Sequence, residues 1–63
     1  MANNNNSIEL LTVGDICDRL MISESVAYRL LRSGAIEAFK IGPIWKIPTD
    51  SLNKFIQNSY ASK

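Results

Sequence analysis

Apolar and polar residues follow a helical period in the first part of the chain. Between residues 13 and 20, apolar side chains recur at i, i+3, i+4 and i+7, which is the spacing of one face of an α-helix. Thr12, with Asp15 three residues later, resembles a capping box in which Asp replaces the usual Glu or Gln. We therefore predict a first helix that begins after Thr12. Its apolar stripe consists of Val13, Ile16, Cys17 and Leu20.

A second short helix is predicted directly after the first. Ser23 is a candidate N-cap, and Glu24 in the first turn suits the positive end of the helix dipole. Gly34 supplies the left-handed position that ends a helix. Two short helices joined so closely are typical of a helix-turn-helix. The apolar face of the second helix comprises Ala27, Leu30 and Leu31, and a polar face with equally regular spacing comprises Ser25, Tyr28, Arg29 and Arg32.

Beyond the second helix the period changes to two, which predicts a β-hairpin over residues 36–47. Gly42 and Pro43 mark its turn. We expect four residues to point inward, namely Phe39, Ile41, Trp45 and Ile47. The predicted outward residues are Ala38, Lys40, Ile44 and Lys46.

A third helix is predicted after Pro48, which ends the second strand. Thr49 can cap this helix, which should run to about Asn58 with an apolar stripe of Leu52, Phe55 and Ile56. Three helices and a two-stranded wing make the fold class mainly α with a small β-hairpin, a compact winged helix-turn-helix.

Composition divides the chain into one domain and two tails. The Asn-rich residues 1–9 have little to bury and are predicted to be a disordered tail. Residues 10–58 form the predicted winged helix-turn-helix domain, and residues 59–63 a frayed C-terminal tail. A chain of 63 residues has one small core and no room for a deep catalytic cleft. A binding module is therefore favoured over an enzyme.

Residue counts narrow the chemistry further. The chain has one cysteine, Cys17, and no histidine, so it cannot form an intramolecular disulfide or a Cys/His zinc site. Cys17 is interpreted as a small core residue. No apolar run is long enough to span a bilayer, and the start lacks the charge and apolar pattern of a secretory signal. We expect a cytoplasmic protein that needs no cofactor, no metal, no small-molecule substrate and no membrane.

Charge distribution is more informative than net charge. Seven basic and six acidic residues give only +1, but residues 25–48 hold four of the basic residues and only one acid, Glu37. A helix fits the DNA major groove, where Arg29 and Arg32 can reach phosphates or base edges, and Lys40 and Lys46 can approach the DNA backbone. The plain alternative is that these are ordinary charged residues on a solvated surface.

Residues 11–56 resemble the excisionase-type domain of the MerR-related winged helix-turn-helix superfamily. The likeness rests on the capped Leu11-Thr12 start, the turn at Ile22-Ser23 and four short stretches of sequence. These stretches are Ala27-Tyr28-Arg29-Leu30-Leu31-Arg32, Lys40-Ile41-Gly42, Trp45-Lys46-Ile47-Pro48 and a final helix bearing Leu52. The resemblance implies a recognition helix at residues 23–32 and a wing at residues 40–46. The candidate DNA-contacting residues are Ser23, Glu24, Ser25, Tyr28, Arg29, Arg32, Lys40, Pro43, Ile44 and Lys46.

The resemblance also implies a bacterial or phage-encoded, nucleoid-associated protein and a function. Excisionases, or recombination directionality factors, bind repeated sites beside the attachment DNA of mobile elements, bend it and direct an integrase toward excision. The implied partners are double-stranded DNA, an integrase and further copies of the chain bound cooperatively. Two alternatives stay open: a transcription regulator of the same fold, and a protein-interaction module that uses Pro43 and Ile44 at the wing tip. For Ile44 the possible roles are a partner pocket, the minor groove, or packing on Pro43.

Overall fold

The computed structural model describes residues 8–61. Within this range the fold consists of three helices and a small antiparallel sheet, which confirms a mainly helical fold with a β wing. Along these residues no helix combines the length and the apolar character needed to cross a membrane. The elements are β1 (Leu10–Leu11), α1 (Val13–Leu20), α2 (Glu24–Ser33), β2 (Phe39–Ile41), β3 (Ile44–Pro48) and α3 (Thr49–Ala61).

Helix α1 begins where the capping residues predict. The Asp15 N–H donates to the Thr12 hydroxyl at 3.0 Å, and the Thr12 N–H donates to the Asp15 carboxylate at 3.0 Å. This reciprocal pair satisfies two backbone donors that the first turn leaves without helical partners. Ile16 is fully buried, and the rest of the predicted stripe packs against the same core.

A connection of three residues, 21–23, joins α1 to α2. Met21 has φ 57° and ψ 50°, and the N–H groups of Met21 and Ile22 both donate to the Cys17 carbonyl. Left-handed backbone is strained in a residue with a side chain, and the Met21 side chain gains little from packing because it is 89% exposed. The Ser23 hydroxyl then accepts from the Val26 N–H at 3.3 Å, which starts α2 as predicted.

Helix α2 ends in a Schellman motif. Gly34 has φ 84°, its N–H donates to the Leu31 carbonyl, and the Ala35 N–H donates to the Leu30 carbonyl at 3.0 Å. Two residues later Ile36 is buried in the core. The motif therefore sets the path of the chain from α2 into the hairpin.

The sheet contains one strand that the sequence did not predict. Strand β1 lies beside β3 in the order β1-β3-β2, with Leu11 opposite Ile47. Thr49 donates to the Glu9 carbonyl through its N–H and its hydroxyl, both at 3.0 Å. Thr49 is the first residue of α3, and its hydroxyl links this helix to the residue that precedes β1.

The hairpin faces differ from the prediction. Register pairs Phe39 with Lys46, Lys40 with Trp45, and Ile41 with Ile44, and residues paired across antiparallel strands share a face. A turn of two residues, in which Gly42 has φ 61°, therefore reverses the odd-even assignment between the strands. Phe39 and Ile41 were predicted to point inward, which is wrong because both are exposed. Ala38 and Lys40 were predicted to point outward, which is also wrong: Ala38 packs against the core, and Lys40 lies on the same face of the hairpin as Trp45.

One core joins all the elements except β2. Its buried residues are Leu11, Ile16, Ala27, Leu31, Ile36, Ile47 and Leu52. In α3, Phe55 packs against this core but Ile56 is exposed, so the predicted stripe is only partly buried. Helix α3 continues to Ala61, three residues past the predicted end at Asn58. The predicted tails fall partly outside the described residues, which exclude 1–7 and 62–63.

Candidate nucleic-acid interface

Helix α2 presents a narrow polar face to solvent. Ser25, Arg29 and Arg32 are exposed, and at 100° per residue they lie within an arc of about 60°. The opposite side carries Ala27 and Leu31, which are 0% and 4% exposed. Burial of one side therefore leaves the arginine face directed outward.

The other predicted residues of α2 have mixed roles. Tyr28 is half-buried beside the polar face. Ser23 is exposed, but its hydroxyl already accepts the Val26 N–H as the helix cap. Glu24 is exposed in the first turn, where its negative charge suits the helix dipole. Ser23 and Glu24 thus define where α2 begins.

The structure separates the two wing lysines. Lys40 and Trp45 are paired, and the Lys40 ammonium nitrogen lies 5.5 Å from the centroid of the Trp45 ring. Lys46 is paired with Phe39 and is half-buried on the other face of the hairpin. The two lysines therefore point to opposite sides of the wing, where the sequence predicted a shared outward face.

The wing tip is apolar. Pro43 is exposed in the turn, and Ile44 is 53% exposed beside it. Ile44 pairs with Ile41, which is 59% exposed. Ile41 was not predicted to be a surface residue, because the predicted pattern placed the odd-numbered positions of both strands inward. The two-residue length of the turn indicates the correct faces, because it reverses the odd-even pattern from one strand to the next.

Positive charge is concentrated on α2 and the hairpin. Residues 25–48 have a formal charge of +3, whereas the remaining three basic and five acidic residues sum to −2. This asymmetry gives a nearly neutral chain a locally positive segment, and positive segments attract the phosphate backbone of nucleic acids.

Cys17 does not belong to the basic segment of residues 25–48. Partial burial raises the pKa of its thiol above the ordinary value, and the carboxylates of Glu24 and Asp18 raise it further. A raised pKa disfavours the thiolate, which is the reactive form. The side chain packs against the core, as the sequence predicts.

A capped helix-turn-helix, a basic polar face on its second helix and an adjoining β wing define the class of winged helix-turn-helix proteins that bind DNA. Residues 10–60 match the family described as helix-turn-helix domain. The chain is also 38% identical over 50 residues to an excisionase from Streptomyces ambofaciens, an alignment that covers 79% of this chain and 81% of that protein. The chain belongs to this helix-turn-helix family and is a homologue of excisionase.

The resemblance noted in the sequence is thereby confirmed. The family consists of DNA-binding accessory proteins and is not a family of known enzymes. No solved structure matches the chain significantly.

Proposed function

We propose that this protein is a recombination directionality factor of the excisionase type, which binds double-stranded DNA sequence-specifically with α2 in the major groove and the hairpin on the backbone or in the minor groove. The observation that carries this proposal is the exposed face of Ser25, Arg29 and Arg32 on a helix held at both ends by caps. The homologous excisionase supports the same activity.

The chemistry of α2 suits the reading of base edges. An arginine guanidinium donates two parallel hydrogen bonds to a guanine or to a phosphate, and a serine hydroxyl accepts or donates. The caps at Ser23 and Gly34 hold the helix ends before DNA arrives. Little ordering of the backbone is then needed on binding, which lowers the entropic cost of association.

The wing complements α2 through its two lysines. Because Lys40 and Lys46 lie on opposite faces of the hairpin, an inserted hairpin would direct one lysine toward each wall of a DNA groove. Phosphates line both walls, and the minor groove is only about 6 Å wide. Opposed lysines therefore suit insertion better than a hairpin lying flat on one strand.

A chain of this size contacts few phosphates. If the four basic residues between positions 25 and 48 each neutralise one phosphate, log affinity should fall against log salt with a slope of roughly −3.6. We therefore propose that copies bind side by side on repeated sites in cytoplasmic DNA and that an integrase is a further partner. Mobility-shift titrations of attachment-region DNA with one or several sites test this, because independent binding to each site would contradict it.

The primary test is a titration of isotope-labelled protein with a generic duplex at low and moderate salt, followed by backbone amide shifts. Shifts at residues 23–32 and 40–46 that fade as salt rises are expected. Absence of shifts at low salt would contradict DNA binding. A transcription regulator of this fold would give the same shifts, so an in vitro excision reaction with a candidate integrase separates the two functions.

A protein-interaction module is the second candidate, and one observation favours it. The outer sheet face, which is the side of the sheet opposite Trp45 and Ile47, exposes four large apolar side chains. These are Leu10, Phe39, Ile41 and Ile44. Apolar docking weakens little with ionic strength, whereas duplex binding weakens steeply. The salt series therefore distinguishes the two.

A further inference from the structure

Three apolar residues lie together at the tip of the hairpin. Ile41 and Ile44 are directly paired, so their side chains stand next to each other on the outer sheet face. Both are more than half exposed, and Pro43 lies in the turn between their strands. Contiguous exposed apolar side chains provide a surface for contact with a partner.

We propose that the Ile41–Ile44 pair, together with Pro43, is an apolar wedge that enters the minor groove and partly unstacks one base step, bending the DNA. The proposal rests on the DNA binding proposed above. Base faces are the apolar surface of a duplex, and opening a step exposes them. Ile and Pro are among the side chains that proteins insert in this way, with bends of about 20–90°.

Charge around the tip favours DNA over an apolar protein partner. Lys46 lies on the same face as Ile44, two residues back along β3, which is about 6–7 Å. Lys40 lies on the opposite face, next to Ile41 in β2. The apolar tip is therefore followed by one cation on each face of the hairpin, and phosphates line both walls of a groove.

The hairpin has the rigidity that a wedge requires. Its turn consists of Gly42 with φ 61° and of Pro43, whose ring restricts φ. Strand β3 is anchored at its far end by Ile47, which is fully buried and paired with Leu11 of β1. Force on the tip is thus resisted by the core, so deformation falls on the DNA.

A wedge predicts a sequence preference without hydrogen bonds to bases. Pyrimidine–purine steps such as TA unstack easily, whereas A-tracts are stiff. The protein should therefore bend a duplex with a central TA step more than a duplex with a central A-tract, even where the α2 contacts are the same.

The test uses a duplex of about 20 base pairs with dyes at its ends and 2-aminopurine at the central TA step. End-to-end energy transfer reports bending, 2-aminopurine fluorescence reports unstacking, and anisotropy reports binding. Wild-type protein should raise both optical signals. The double variant I41T/I44T keeps the charge and the β-branched shape, so it should stay folded, and at protein concentrations that saturate binding it should lose most of both signals.

A charged variant separates a wedge from an ordinary contact. Ile44→Lys adds a cation at the tip, so it should raise low-salt affinity while lowering energy transfer and 2-aminopurine fluorescence. Ile56→Thr removes an exposed isoleucine from α3 and is the matched control, with both signals expected at wild-type levels. Thermal melting followed by circular dichroism verifies that each variant is folded.

Different failures identify different errors. Full bending by folded I41T/I44T would overturn the wedge and leave DNA binding intact. Reduced affinity with an unchanged bend in each bound complex would also overturn it and make the pair a simple contact. Wild-type protein that gives no anisotropy change would refute DNA binding itself, and the wedge with it.

Discussion

The ammonium nitrogen of Lys40 lies 5.5 Å from the centroid of the Trp45 ring, across the two strands of the hairpin. A cation at this distance from an indole face is attracted by the negative face of the ring. Trp45 packs against the core on the inner side of the sheet. The pair therefore joins a solvent-exposed charge to the inner side of the wing.

Lys40→Ala should lower the free energy of unfolding by about 0.5–1 kcal/mol, because the cation–π contact is lost. Lys40→Arg should retain most of this stability. Urea unfolding followed by tryptophan emission measures both, since Trp45 is the only tryptophan. Lys54→Ala, which removes an exposed lysine from α3, is the control. Equal stability of Lys40→Ala and wild type would contradict the contact.

Arg29→Ala and Arg32→Ala should weaken DNA binding without loss of fold, because both side chains are exposed. An arginine that reads a base should cost about 1–3 kcal/mol of affinity, and one that binds a phosphate should flatten the salt slope by about 0.9. Anisotropy titrations across a salt series measure both quantities. Lys54→Ala removes the same charge from α3, so it should change neither quantity by as much. Unchanged affinity and slope in both arginine variants would rule out α2 as the recognition helix.

Leu31→Ala should destabilise the protein by about 2–5 kcal/mol, because Leu31 is only 4% exposed in the core. Leu30→Ala should cost less, since Leu30 is half-buried at the edge of that core. A domain of this size has only a few kcal/mol in total, so Leu31→Ala should be largely unfolded by circular dichroism at ambient temperature. Equal losses in the two variants would contradict the assigned burial.

Met21→Gly should stabilise the protein by about 0.5–1 kcal/mol. Relief of the left-handed strain at φ 57° outweighs the added flexibility of glycine in the unfolded chain. Met21→Ala retains the strain and removes only an exposed side chain, so it should match wild type. Chemical denaturation of the three proteins makes the comparison. A glycine variant no more stable than wild type would contradict the strain at Met21.

Deprotonation of the Cys17 thiol should lower the free energy of unfolding at alkaline pH. Its pKa is raised in the folded state, chiefly by burial, so as the pH rises through the ordinary range of a free thiol the unfolded chain loses this proton first. The stability advantage of wild type over Cys17→Ala should therefore shrink as pH rises through this range. Paired urea titrations at neutral and alkaline pH cancel the titration of the other groups. A gap that does not change with pH would contradict the shift.

Local contacts encode most of the helices, which is why residue patterns predicted them well. The Thr12–Asp15 capping pair spans three residues, and so does the Ser23–Val26 bond. Gly34 ends α2, and its N–H donates to the carbonyl of Leu31 in the preceding turn. The exposed Arg29 of α2 follows from the same short-range periodicity, and the excisionase-type family followed from the same motifs.

Pairing between residues far apart in the sequence determines the features that these patterns did not predict. Strand β1 is too short to show a period, and it forms because Leu11 lies opposite Ile47 and because Glu9 accepts from Thr49, forty residues away. The faces of the hairpin depend on which residues pair across the turn, and a one-residue change of register moves every side chain to the other face. The apolar tip at Ile41 and Ile44 was therefore decided by the tertiary structure, which pairs these two residues across the turn.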